Sequence, residues 1–327
     1  MKITEATIKM WSRIGQRATF GMAALELGSQ VDDLIILTGD TSTSAGLQRF
    51  KSSYPDKFLD VGISEQNMIG IAAGLASEGV NVFTSTFAPF QTMRCCEQIK
   101  VNLGYMRHKV CMVGLASGVV LGTLGYTHCC IEDVSIMRSI PNITVISPAD
   151  CCETVKATLA SVNHKESIYI RLTGGTKNPV VYKEDYKFEI GKAVTLRKGR
   201  DITIIATGTM VYESLIASDF LVEQGITSTV LNMHTIKPVD SHAIQKASES
   251  SKMIVTVEEH SIIGGLGAAV AEFKTTLQDS PPQILIGMPD KYDKGGEYND
   301  ILERHGLTSH LIAKRIESEY KKSRIKT

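Results

Sequence analysis

The chain has 327 residues, 43% hydrophobic and 21% charged, with Lys+Arg and Asp+Glu both at 35. That length exceeds one typical core and predicts two domains of an ordinary globular protein. Balanced charge gives no net field for nucleic acid or an anionic membrane, and no run of about 18 apolar residues offers a bilayer span.

Apolar runs of strand length alternate with helical patterns almost throughout, which predicts an α/β fold with parallel sheets. Strands are expected near Leu34–Leu37, Phe58–Val61, Val80–Thr84, Val110–Leu115, Ile143–Ile146 and Ile168–Leu172. Helices are expected near Glu65–Ser77, Pro89–Asn102, Glu132–Ser139 and Cys152–Val162. In the first of these, Met68, Ile71, Ala72 and Leu75 form one stripe at helical spacing. Gly70 and Gly74 make a smooth second face, suited to subunit packing or to close sheet packing. Gly174-Gly175-Thr176-Lys177-Asn178-Pro179 then breaks the pattern. The expected division is a first domain over 1–176, a linker over 177–194 and a smaller α/β domain over 195–327. Strands of the second domain are predicted near Ile202–Ala206, Ser228–Leu231, Met253–Val257 and Gln283–Ile286, with a charged closing helix from about Ser309 to Ser323.

Seven cysteines include the adjacent pairs Cys95-Cys96, Cys129-Cys130 and Cys151-Cys152. Neighbouring cysteines rarely bridge, and CxxC metal spacing is absent, so buried thiols and no metal site are expected. Met1-Lys2-Ile3-Thr4-Glu5 lacks the apolar core of a signal peptide, and with reduced thiols this points to the cytoplasm.

The chemistry-bearing stretches follow strand ends. Asp60-Val61-Gly62-Ile63-Ser64-Glu65-Gln66-Asn67 reads as a strand end, a tight Gly turn and a helix with Glu65 in its first turn. A carboxylate there either stabilises the helix N-terminus or exchanges a proton with a bound heterocycle. Ser85-Thr86-Phe87-Ala88-Pro89-Phe90 puts two aromatics after a strand, as core packing or as a stacking platform for a flat ring. Leu121-Gly122-Thr123-Leu124-Gly125-Tyr126-Thr127-His128 is a Gly-studded loop that presents His128 either to a substrate hydroxyl or to solvent. Arg171 closes a strand, where a phosphate contact is possible. Gly264-Gly265-Leu266-Gly267 does not fit G-x-G-x-x-G, and is read as the start of a helix packed on the sheet.

In that order, and with Ile140-Pro141-Asn142-Ile143-Thr144-Val145-Ile146-Ser147-Pro148-Ala149-Asp150 and Val257-Glu258-Glu259-His260, these motifs resemble the transketolase family of thiamine-diphosphate enzymes. More closely, the chain is similar to the C-terminal polypeptide of split transketolases, over nearly its whole length. The resemblance implies a pyrimidine-binding domain followed by the family's C-terminal domain. It implies that Glu65 hydrogen-bonds N1′ of the aminopyrimidine, with Phe87 and Phe90 stacking that ring and Asp40 at the subunit interface near the cofactor. It places His128 near the reacting sugar, and Ser44 and Arg171 near substrate phosphate. The implied activity transfers a two-carbon ketol unit from a ketose to an aldehyde acceptor.

Gly-Asp-Gly, the family's diphosphate and Mg²⁺ motif, is absent. A separate N-terminal subunit is therefore expected to hold that end of the cofactor, in an assembly of two copies of each chain. Leu124 stands where full-length relatives have Asp, and Ala116 at the position of an upstream phosphate-binding His. Both departures weaken the usual pentose-phosphate chemistry and point to an unusual ketose or acceptor. The alternatives are a deoxyxylulose-phosphate-synthase-like enzyme, a 2-oxo-acid dehydrogenase β chain, or a non-catalytic partner subunit.

Overall fold

The computed structural model describes residues 1–325; the last two residues of the expected second domain, Lys326 and Thr327, lie outside the described residues. The strands in chain order are β1 (Leu34–Thr38), β2 (Phe58–Asp60), β3 (Asn81–Phe87), β4 (Val110–Leu115), β5 (Ile143–Ile146) and β6 (Ser167–Arg171). They continue as β7 (Val194–Arg197), β8 (Ile202–Ala206), β9 (Ser228–Asn232), β10 (Thr235–Lys237), β11 (Met253–Ser261) and β12 (Gln283–Met288). One sheet runs β10-β5-β6-β4-β3-β1-β2 and the other β12-β11-β8-β9-β7. Each is parallel except at one edge, where β10 meets β5 and β7 meets β9 antiparallel. Central strands such as β4 and β6 are buried along their whole length, because helices cover both faces of a parallel sheet. That is why they appear in the sequence as continuous apolar runs.

The two sheets do not divide cleanly at the expected linker. Strand β10 lies well into the second half of the chain, yet it pairs Thr235 with Ile146 and completes the first sheet. One buried apolar cluster joins Met137 and Val145 to Ile205, Leu231 and Ile254, so the sheets share core. The connecting stretch is pinned down as well. Val181 and Tyr182 donate their N–H groups to Asp150 Oδ2, each at 2.9 Å, and the Tyr182 and Tyr186 rings stack at 3.8 Å.

Two helical regions differ from expectation. The helix Glu5–Gln30 has no counterpart among the expected elements. Thr4 caps it in a reciprocal box with Thr7, an arrangement worth about 1 kcal/mol. Gly15 breaks its ladder at φ 82°, where a Cβ would lie 2.5 Å from Gly175 O. The helix expected over Pro89–Asn102 is instead a short turn Ala88–Gln91, a second turn Cys96–Gln98 and a π-wound segment Ile99–Tyr105. Its ladder widens where Arg94 N–H donates to Pro89 O, five residues back. Among the described residues no helix is long and apolar enough to cross a membrane.

Candidate active site

The C-terminal ends of β1, β2 and β3 form one edge, since Thr38 is in register with both Asp60 and Ser85. Loops leaving the carboxyl ends of parallel strands make the crevice in which such sheets bind ligands. Asp60 Oδ1 ties two exits together by accepting the N–H groups of Asp40 (2.9 Å) and Gly62 (3.0 Å). Gly62 turns at φ 69°, and the helix Glu65–Ser77 starts three residues later.

Glu65 is therefore aimed inward and only 3% exposed. Its Oε2 accepts Arg94 Nη1 at 2.8 Å, while Oε1 has no hydrogen bond among the described residues. A Cβ on Gly39 would lie 3.3 Å from Glu65 Cγ and 3.7 Å from Thr86 Oγ1, which brings those two side chains to one spot. The Thr86 hydroxyl is buried without a partner, as are those of Thr84 and Ser85 and both polar atoms of the Gln91 amide. The open Thr86 hydroxyl beside Glu65 is a group whose bonding a ligand or water completes.

The aromatics gather beside this carboxylate. Phe87 and Phe90 meet edge-on with centroids 6.4 Å apart, and the His128 ring stands 5.6 Å from Phe90 at 75°. The Arg94 guanidinium lies 4.1 Å from the Phe90 centroid, so one arginine contacts both the carboxylate and the aromatic platform. Glu65, Phe87, Phe90 and His128 thus come together as the sequence motifs anticipate. His128 Nδ1 shares a hydrogen bond with Thr127 Oγ1 (3.0 Å), which orients its ring. Leu124, in the same loop, is 56% exposed and offers no polar atom.

The remaining candidates fare differently. Asp40 sits exposed just beyond β1, at φ 56°. Ser44 lies half-buried further along that loop, and among the described residues no hydrogen bond or ring contact joins it to the Glu65–Phe90–His128 group. Arg171 is a correction. Only 2% exposed, its Nε bonds Asp133 Oδ2 at 2.8 Å and its Nη2 bonds the carbonyls of Glu259 (2.9 Å) and Cys130 (3.3 Å). A guanidinium so enclosed and so committed does not reach a substrate phosphate. Arg94 is the residue that sequence reasoning missed. It lies in the turn between Ala88–Gln91 and Cys96–Gln98, where no helical periodicity marks it.

Elsewhere the glycine run Gly264–Gly267 opens the helix Leu266–Lys274, whose N–H groups at Leu266 (2.7 Å) and Gly267 (2.8 Å) are taken by Glu258. That helix end is filled by the protein itself, so it offers no anion site. Among the described residues no group of three or more His, Cys, Asp or Glu side chains is arranged to hold a metal ion.

A parallel α/β unit with an inward glutamate and an aromatic shelf at its strand ends is followed by a second α/β unit. The family profile described as transketolase, pyrimidine binding domain matches residues 12–176, and that of the transketolase C-terminal domain matches 191–312. The chain is 41% identical to one of the subunits of apulose-4-phosphate transketolase from Phocaeicola vulgatus, covering 92% of this chain and 96% of that one. It is 38% identical to a 6-deoxy-6-sulfo-D-fructose transketolase subunit of a Clostridium species, covering 91% and 92%. Among solved structures, a split gene transketolase described as an inactive beta4 tetramer superposes with a TM-score of 0.84 and 32% identity, over 94% of this chain and 98% of that one. This chain belongs to the transketolase family, and it corresponds to the C-terminal subunit of a two-chain enzyme. Family membership implies dependence on thiamine diphosphate.

Proposed function

We propose that this chain is the pyrimidine-binding half of a transketolase that moves a two-carbon ketol unit from a ketose to an aldehyde. It would work only with a separate N-terminal subunit holding the diphosphate and Mg²⁺, in a two-plus-two assembly. The observation that carries this reading is Glu65, buried yet with Oε1 unbonded, beside Phe87, Phe90 and the unpartnered Thr86 hydroxyl. Those residues fit an aminopyrimidine. Glu65 is suited to share a proton with a ring nitrogen, Phe87 and Phe90 to bear on the ring, and Asp40 to lie toward the partner chain. Bound thiamine diphosphate supplies the carbon nucleophile that splits the ketose. His128, whose ring lies 5.6 Å from that of Phe90, is suited to face the sugar as a pre-positioned donor that stabilises charge developing on its oxygen.

The missing Gly-Asp-Gly supports the need for a partner, and so does the split-gene relative described as an inactive beta4 tetramer. Leu124, which leaves one sugar-facing position apolar, supports an unusual ketose, and the relatives named for apulose-4-phosphate and a sulfofructose support the same. Domain limits near 177–194 and a cytoplasmic setting, with seven free thiols, complete the proposal.

The test is reconstitution of the two-chain enzyme with thiamine diphosphate and Mg²⁺, assayed with ketose donors and separately with pyruvate. Ketose-dependent transfer is expected, with Glu65→Gln lowering kcat by about 10²–10⁴-fold. Full activity in that variant, or pyruvate acting as the better donor, overturns the reading.

A further inference from the structure

The loop carrying His128 is closed at its base by two backbone hydrogen bonds between Gly118 and Cys130, each 2.8 Å. The Gly118 side of that base is held from the second sheet, and the Cys130 side by Arg171, which itself bonds the same second-sheet residue. Glu259, at the end of β11 and 2% exposed, accepts Val119 N–H on Oε1 at 2.8 Å. Its backbone carbonyl accepts Arg171 Nη2, which also reaches Cys130 O across the bridge. Gly118, at φ 70°, lets the carboxylate come close, since a Cβ there would lie 2.2 Å from Glu259 Oε1. The other carboxylate oxygen accepts the hydroxyls of Thr209 (2.8 Å) and Tyr298 (2.6 Å). Tyr298 opens a helix shortly after Gly296, whose N–H bonds Gly122 O near the tip of the same loop.

We propose that Glu259 is a positioning residue, setting the His128 loop from the second sheet and thereby the sugar-facing side of the site. This rests on the assignment of His128 to the substrate side made above. The physical reason is the number and kind of its bonds. A buried carboxylate with three donors from three separate segments fixes their mutual placement, and charge-assisted bonds of this length are the strong ones. The second domain then has a task in catalysis, through the placement of a loop of the first. Misplacing a catalytic group by about 1 Å costs on the order of 10²-fold in rate, so a modest shift of the loop is measurable.

The experiment uses the reconstituted two-chain holoenzyme with Glu259→Gln, His128→Ala and the double variant. Glutamine keeps the shape but cannot accept from both hydroxyls and Val119 at once. Expected is a fall of about 10-fold in kcat/KM for the ketose donor. Thiamine diphosphate affinity, and deuterium exchange at C2 of the bound cofactor, should stay within about twofold, since Glu65 is untouched. The double variant should lie within about twofold of His128→Ala alone, because both changes act through one side chain. Additive losses, or cofactor exchange falling in step with donor kcat/KM, overturn the proposal. If His128→Ala leaves the donor reaction intact, the His128 assignment itself fails. If it matters while Glu259→Gln does nothing, only the positioning role fails. Should Glu259→Gln not fold, Tyr298→Phe removes one hydroxyl from the same carboxylate. An unchanged donor kcat/KM in that variant also refutes the role.

Discussion

Replacing Arg171 with Met would remove the cation from an ion pair whose members are 2% and 0% exposed. Asp133 would keep the Tyr169 hydroxyl at 2.7 Å but lose its charged partner, the Glu259 carbonyl would lose the Arg171 donor, and the Cys130 carbonyl would be left with the Gly118 N–H. Breaking a buried pair from one side costs about 3–5 kcal/mol, chiefly from the charge left behind. For a chain of this size that lowers the melting temperature by on the order of 10 °C. Urea unfolding of the isolated chain measures it, with a shifted midpoint and an unchanged slope. The neutral pair Asp133→Asn with Arg171→Met should recover at least half of the loss, because no bare charge remains. In the two-chain enzyme, phosphorylated and unphosphorylated ketoses should lose kcat/KM in parallel, since the guanidinium lies out of substrate reach. A destabilisation under about 1 kcal/mol, or a KM rise confined to the phosphorylated donor, would refute the structural role.

Burial pushes the Glu258 carboxyl up from 4.5 to about 7, and burial pulls His260 down from 6.5 to about 4. A raised carboxyl contributes stability that is complete below pH 4.5 and lost as pH rises through 7. A lowered imidazole contributes stability that is complete above pH 6.5 and lost as pH falls through 4. Between pH 4.5 and 6.5 the two slopes oppose each other, each up to about 1.4 kcal/mol per pH unit. Relative to wild type, Glu258→Gln should therefore gain stability with rising pH across that window and His260→Asn should lose it; parallel profiles in urea titrations would contradict both assignments. Gly15→Ala should destabilise the chain by about 2 kcal/mol or more, from a positive φ together with the contact at Gly175 O, and calorimetry that finds it neutral would exclude the kink as drawn. Arg94→Met should cost about 1–2 kcal/mol, less than a fully buried pair because Arg94 is 41% exposed; an unchanged melting temperature would disprove the pairing with Glu65.

The central strands of both sheets were legible in the sequence because a strand covered on two faces is largely apolar, and that run is local; the antiparallel edge strands β7 and β10 were not. The glutamate at a helix start was legible for the same reason, since Gly62 and the residues after it fix the turn by themselves. Helix Glu5–Gln30 was not, because Gly15, Gly21 and Gly28 interrupt its pattern, and each fits against a segment far along the chain. The three residues of β10 carry no signal of their own, and they become a strand only because β5 leaves an edge open beside them. Arg171 shows the division most clearly. Its position at a strand end marks it as a cation near a crevice, but whether it meets a phosphate or a carboxylate depends on distance. Asp133, 38 residues earlier, answers that question only once the helix it begins has folded against the sheet. Local sequence pattern determined most of the elements and set Glu65, Phe87, Phe90 and His128 at strand ends, while the roles expected of them came from the family resemblance. Tertiary packing decided which charges were already neutralised, because electrostatic partnership depends on separation in space and not along the chain.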